Sequence, residues 1–103
     1  MSTLHTVNKS PFEHQTLASC ARVCLDGDCV LLLEDGVYGA LAARAPTCAD
    51  LNGLLQRGIA IFALEDDVVA RGLTGQLLDT VTLTDYQGFV KLSLEHQTIQ
   101  SWY

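Results

Sequence analysis

Four cysteines, at positions 20, 24, 29 and 48, and three histidines, at 5, 14 and 96, are the side chains best suited to covalent or metal chemistry. A cysteine attacks or carries sulfur as its thiolate, which needs a nearby cation or a helix N-terminus to lower its pKa. Around Cys20 the sequence offers mainly Lys9 and Arg22. No two cysteines form a C-x-x-C pair, so free thiols in a reducing compartment are the expected state. The histidine spacing matches no metal motif, and each histidine is expected to be structural or exposed. Acidic groups cluster at Glu34-Asp35, Glu65-Asp66-Asp67 and Asp85. Such groups could bind a metal or act as paired acid and base. The simpler expectation is that they open helices, where carboxylates complement the dipole, with Asp66 as a helix-start residue.

These side chains need a scaffold. Cys29 to Leu33 is an unbroken apolar run with no alternation, which reads as a strand covered on both faces. Ile59 to Leu64 is a second such strand, and Thr3 to Val7 is a shorter β-prone run. Val81 to Thr84 alternates, as an edge strand would. Thr98 to Tyr103 alternates too and reads as a final strand or a strap. Ser10-Pro11-Phe12-Glu13 carries the marks of a helix start and predicts a helix running to about Leu25, with Gly27 beyond it. Gly36 to Leu41 is helical in composition, and Ala42 to Asp50 reads as a loop. Short helices are expected over Leu51–Arg57 and Val68–Arg71, and a last one opens at Asp85-Tyr86-Gln87. Strands separated by helices imply right-handed crossovers. The expected fold is a single small α/β domain: an open, mostly parallel sheet of 4–5 strands with helices on both faces.

Placed on the first predicted helix, Leu17, Ala18, Ala21, Cys24 and Leu25 share one face, and Cys20 falls at its edge beside Thr16 and Glu13. Cys20 is thus expected to be reachable and Cys24 shielded. Cys29 opens a buried strand, and Cys48 is expected to be exposed in a loop. The usual ligand side of such a sheet is the crevice beyond the strands' carboxyl ends. The first turn there is Asn8-Lys9-Ser10-Pro11, with no glycine-rich phosphate loop, which argues against a nucleotide cofactor.

Of the residues, 49% are apolar and only 17% charged, so part of the surface is expected to face another chain. A net charge of −6 disfavours direct binding to nucleic acid or an anionic membrane. No apolar run approaches a membrane span, and Met1 to His5 lacks the marks of a signal peptide, so a cytoplasmic protein is expected.

Several stretches stand out, in order and over nearly the full length: His5-Thr6-Val7-Asn8-Lys9-Ser10-Pro11-Phe12, Gly27-Asp28, Leu32-Leu33-Glu34-Asp35-Gly36-Val37, Ala63-Leu64-Glu65-Asp66-Asp67, Ala70-Arg71-Gly72-Leu73, Asp85-Tyr86, Phe89-Val90 and Gln100-Ser101-Trp102. Together they resemble the DsrH/TusB family. The resemblance implies the smallest subunit of a hexamer with two copies each of three related chains. DsrH-like members work with DsrE- and DsrF-like subunits and exchange sulfur with a DsrC-like carrier in sulfur oxidation. TusB-like members work with TusC and TusD, relaying persulfide sulfur toward the 2-thiouridine of tRNA. DsrH-like chains carry a cysteine at the position of Cys20, which TusB-like chains generally lack. The resemblance therefore favours the DsrH branch and makes Cys20 the candidate persulfide carrier. The principal sulfur-bearing cysteine is expected on the DsrE or TusD subunit. A persulfide relay needs no metal or organic cofactor. A purely structural subunit is the remaining alternative.

Overall fold

The computed structural model describes residues 2–103, and of residues 45–47 the backbone alone; Met1, the first residue of the N-terminal stretch read above, lies outside the described residues. Five strands, β1 (Thr3–Val7), β2 (Cys29–Leu32), β3 (Ala60–Leu64), β4 (Thr82–Thr84) and β5 (Thr98–Trp102), pair in the order β4-β3-β2-β1-β5. Every pairing is parallel. The helices are α1 (Thr16–Val23), α2 (Ala49–Gln56), α3 (Glu65–Ala70) and α4 (Tyr86–Glu95). No helix among the described residues is long and apolar enough to cross a membrane.

The two apolar runs become β2 and β3 because a central strand has both faces to bury. Val30, Leu31 and Leu32 are all fully buried. Strand alternation divides the sheet into two faces. Val7, Val30, Leu32, Ile61 and Ala63 join Leu17, Leu51, Leu54 and Val68 in the main core. Leu4 and Leu31, equally buried, stand outside that cluster and so belong to the opposite face.

The crossovers explain which helices cover which face. From β1 to β4 the chain steps in one direction across the sheet. The connection from β4 to β5 runs back the whole way. Right-handed crossovers in opposite directions place their helices on opposite faces. The helix α4 therefore lies on the face of Leu4 and Leu31, opposite the main core.

Two helical expectations change. The Ser10 signal does form, but as a turn: its side chain accepts from the Phe12 amide, and its carbonyl accepts from Glu13 and His14. The helix itself begins only at Thr16 and ends at Val23. Phe12 packs on the core and holds the Arg44 guanidinium 3.9 Å from its ring centre, a tertiary contact that outweighs the local start signal. Gly36 to Leu41, expected to be α-helical, lies in a 3₁₀ segment over Glu34–Ala40, and a second one follows over Ala42–Thr47 where a loop was expected.

At the carboxyl ends of β2 and β3 the acids open helical segments as expected: Glu34 and Asp35 stand in the first turn of the 3₁₀ segment, and Glu65, Asp66 and Asp67 in the first turn of α3. The helix α3 has no side-chain cap, and Asp66 is exposed. Asp67 accepts the Glu34 amide at 2.7 Å and lies 3.7 Å from Arg71, which pairs with Asp35 at 2.9 Å. Glu34 has φ +49°, the left-handed region that costs an L-residue roughly 1 kcal/mol, and the Asp67 carboxylate holds it there. Asp67→Ala should lower stability by about 1–2 kcal/mol, whereas Asp66→Ala should cost no more than about 0.5 kcal/mol. Urea denaturation of both variants compares them directly; equal losses would remove the role given to Asp67.

Candidate functional site: a buried thiol and His-Asp cluster

α1 turns Leu17, Cys20 and Cys24 toward the sheet, and all three are buried. This corrects the expectation for Cys20, which is 0% exposed where a reachable edge position was expected. The helix ends at Val23, so Leu25 leaves the helical wheel and is 68% exposed. Ala18 and Ala21 are only half-buried, so the packed face centres on Leu17, Cys20 and Cys24. Cys24 follows the helix as its cap residue, its N–H bonded to the Cys20 carbonyl at 2.9 Å. Arg57, from the end of α2, donates to the carbonyls of Ala21 and Cys24 and so satisfies the last turn. Cys48, expected to be exposed, is buried at the start of α2. Cys29 is half-buried.

Burial governs the chemistry of these thiols. It pushes the Cys20 thiol up to about 12, with Cys24 and Asp28 adding unfavourable negative charge. Cys24 is pushed up to about 11, again by burial first and Asp28 second, with Arg57 opposing. Burial also raises Cys29 and Cys48. At neutral pH the upward shift holds Cys20 in the thiol form.

Sequence reasoning missed the group these thiols surround. Asp28 precedes β2 and is 5% exposed. Its Oδ1 accepts the Thr3 amide at 2.9 Å; its Oδ2 accepts the Leu25 amide at 3.0 Å and His5 Nε2 at 2.9 Å. Trp102 Nε1 donates to His5 Nδ1 at 3.1 Å, which fixes the neutral tautomer with its proton on Nε2. Burial by itself would raise the Asp28 carboxyl, but the Leu25 amide, His5 and the Thr3 amide outweigh it and hold it below the ordinary carboxylate value. The one available signal was Gly27-Asp28, a turn pair with Gly27 at φ +90°.

His5, Cys24 and Asp28 bring three potential metal-ligand atoms within 4.8 Å of one another. The hydrogen bonding argues against a metal there. Ligation through Nε2 would move the ring proton to Nδ1, where it would face the Trp102 N–H. The same arrangement leaves His5 no lone pair with which to deprotonate Cys24. The cluster also lies at the amino-terminal end of β1 and β2, opposite the crevice where such sheets bind ligands. Its geometry is that of a tie between β1, the α1–β2 turn and β5.

The DsrH-like protein family matches residues 9–99. The chain belongs to the DsrH/TusB family. Protein TusB of Yersinia pestis (strain Pestoides F) is 43% identical over 99 residues, covering 96% of this chain and 99% of that one. Protein TusB of Yersinia pseudotuberculosis serotype O:1b (strain IP 31758) is also 43% identical over 99 residues, with the same coverage. Among solved structures, the ychN protein of E. coli superposes with a TM-score of 0.76 at 16% identity, over 98% of this chain and 99% of that one. A protein of unknown function from Methanobacterium thermoautotrophicum gives a TM-score of 0.69 at 14% identity, over 96% and 97%. Those two likenesses concern the fold, and they agree with the parallel α/β sheet expected for a DsrH/TusB chain.

Proposed function

We propose that this chain is the TusB-type subunit of a cytoplasmic sulfur-relay assembly, working beside TusC- and TusD-like chains to pass persulfide sulfur toward the 2-thiouridine of tRNA. The 43% identity to proteins named TusB supports the branch. The observation that carries the role is the state of the four thiols: Cys20, Cys24 and Cys48 are buried, Cys29 is half-buried, and all are shifted toward the thiol form. A relay cysteine must be a reachable thiolate, so the sulfur is carried on a partner chain and this subunit builds the assembly. The whole chain acts as one domain in that role, in two copies with two copies of each partner.

The DsrH-type reading keeps one specific support, the presence of Cys20 on α1. In it, Cys20 carries a persulfide received from a DsrE-like chain and the assembly exchanges sulfur with a DsrC-like carrier. Mass spectrometry of the assembled complex after incubation with a sulfur donor separates the two. The expected result is added sulfur on the TusD-like partner and none on this chain. Persulfide on Cys20 would overturn the scaffold role.

In the isolated chain, a maleimide should label Cys29 first, with Cys20 and Cys24 reacting at least about 100-fold more slowly than a free thiol, because both need local opening. Peptide mapping over a labelling time course gives the order. Cys20 labelling ahead of Cys29 would restore it as the reachable thiol.

A further inference from the structure

The helix α4 has no buried residue, although the reversed crossover sets it on the face of the sheet opposite the main core. Phe89 and Leu92 turn inward and are half-buried. Tyr86, Val90 and Leu94, spaced four apart and so aligned on one side, are 64%, 45% and 82% exposed. Ile99, on the same side of the sheet as Leu4 by register, is 49% exposed. A continuous apolar row on the outer side of a helix marks an interaction surface.

The charges indicate what fits it. Residues 85–103, from the cap of α4 onward, contain only Asp85, Lys91 and Glu95 as charged side chains, so a net −5 of the −6 resides in residues 1–84. A strongly basic or acidic partner finds few charges to pair with along α4. Lys91 and Glu95 are both exposed, one of each sign and one turn apart beside the apolar row. Such a face complements itself. When two copies of α4 cross antiparallel about a two-fold axis, Lys91 of each meets Glu95 of the other while the apolar rows meet between them. Two-fold pairing of this kind uses the same patch on both subunits and forms each contact twice.

We propose that the outer face of α4, with Tyr86, Val90 and Leu94 at its centre and Lys91 and Glu95 at its rim, is a docking surface for a second copy of this chain. The proposal concerns the chain by itself and holds whichever relay it serves. Sedimentation of the purified chain across a concentration series should show a reversible monomer–dimer equilibrium. Leu94→Asp should weaken the dimer at least about tenfold, with circular dichroism and melting unchanged because the residue is already in solvent. Lys91→Glu and Glu95→Lys should each weaken it. An equimolar mixture of those two variants should form a heterodimer more tightly than either forms a homodimer, since one new interface then holds opposite charges on its two sides. A chain that stays monomeric at every concentration would overturn the proposal. A dimer indifferent to Leu94→Asp, or a charge-swapped mixture no tighter than its components, would do the same.

Discussion

Asp28→Ala should cost at least about 3 kcal/mol of stability, a large part of what holds a domain of this size together. The carboxylate receives three N–H groups, from Thr3, Leu25 and His5, and is 5% exposed. Alanine leaves all three without an acceptor, in a site with little room for water, and each unsatisfied donor costs roughly 1–3 kcal/mol. The effect reaches further along the chain. His5 then loses the bond that fixes its Nε2 proton, and Trp102, which donates to the other ring nitrogen, loses its orientation on β5. Asparagine should recover only part of the loss. Its amide group must point two hydrogens either at the Thr3 N–H or at the Leu25 and His5 pair, so at least one donor remains opposed.

The pH dependence has a definite sign. The folded carboxyl lies below its ordinary value of 3.8, so Asp28 stabilises the fold fully above about pH 4. That contribution is lost as the pH falls through 3.8 toward the lower folded value. Urea midpoints of wild type and Asp28→Ala should therefore differ most at neutral pH and converge in acid. Parallel curves down to pH 2 would show that the carboxylate contributes nothing through its charge.

The strands were legible in the sequence because burial on both faces leaves a direct trace: Cys29 to Leu33 and Ile59 to Leu64 have no polar interruption. The Asp28 cluster left no such trace. Asp28 and His5 are separated by 23 residues, and His5 and Trp102 by 97. Asp28 meets His5 because β1 pairs with β2, and Trp102 reaches His5 because β5 pairs with β1 in the register that sets Trp102 beside Val7. No periodicity reports either pairing. The misplacement of Cys20 has a local cause instead. A helical wheel counts Ala18, Ala21 and Leu25 as fully as Leu17, but Ala18 and Ala21 are only half-buried and Leu25 lies past the helix end in solvent, so the face that packs is that of Leu17, Cys20 and Cys24. Cys48 was misread for a related reason: it precedes α2 as its cap residue and packs into the core beneath it. The outward direction of the apolar row on α4 left no trace either, because it follows from the reversed crossover between β4 and β5.

Gly36→Ala should be among the most damaging single-methyl additions available to this fold, costing about 3 kcal/mol or more. A Cβ at Gly36 would overlap the Val7 carbonyl oxygen. That oxygen cannot retreat, because it accepts the Leu33 amide at 3.0 Å and belongs to the last residue of β1, whose side chain is fully buried. The 3₁₀ segment cannot retreat either, since its Gly36 amide bonds to Leu33 at 2.9 Å and the next side chain, Val37, is fully buried in the main core. Relief therefore requires separating β1 from the segment after β2, where the central strands meet their cover. A control separates this clash from the general effect of replacing glycine. At Gly53, inside α2, an added Cβ meets nothing within 4 Å, so Gly53→Ala should raise stability by about 0.5–1 kcal/mol through helix propensity. Chemical denaturation of both variants should move the two midpoints in opposite directions. If Gly36→Ala shifted upward with Gly53→Ala, the close approach of Gly36 to Val7 would not exist in the folded protein.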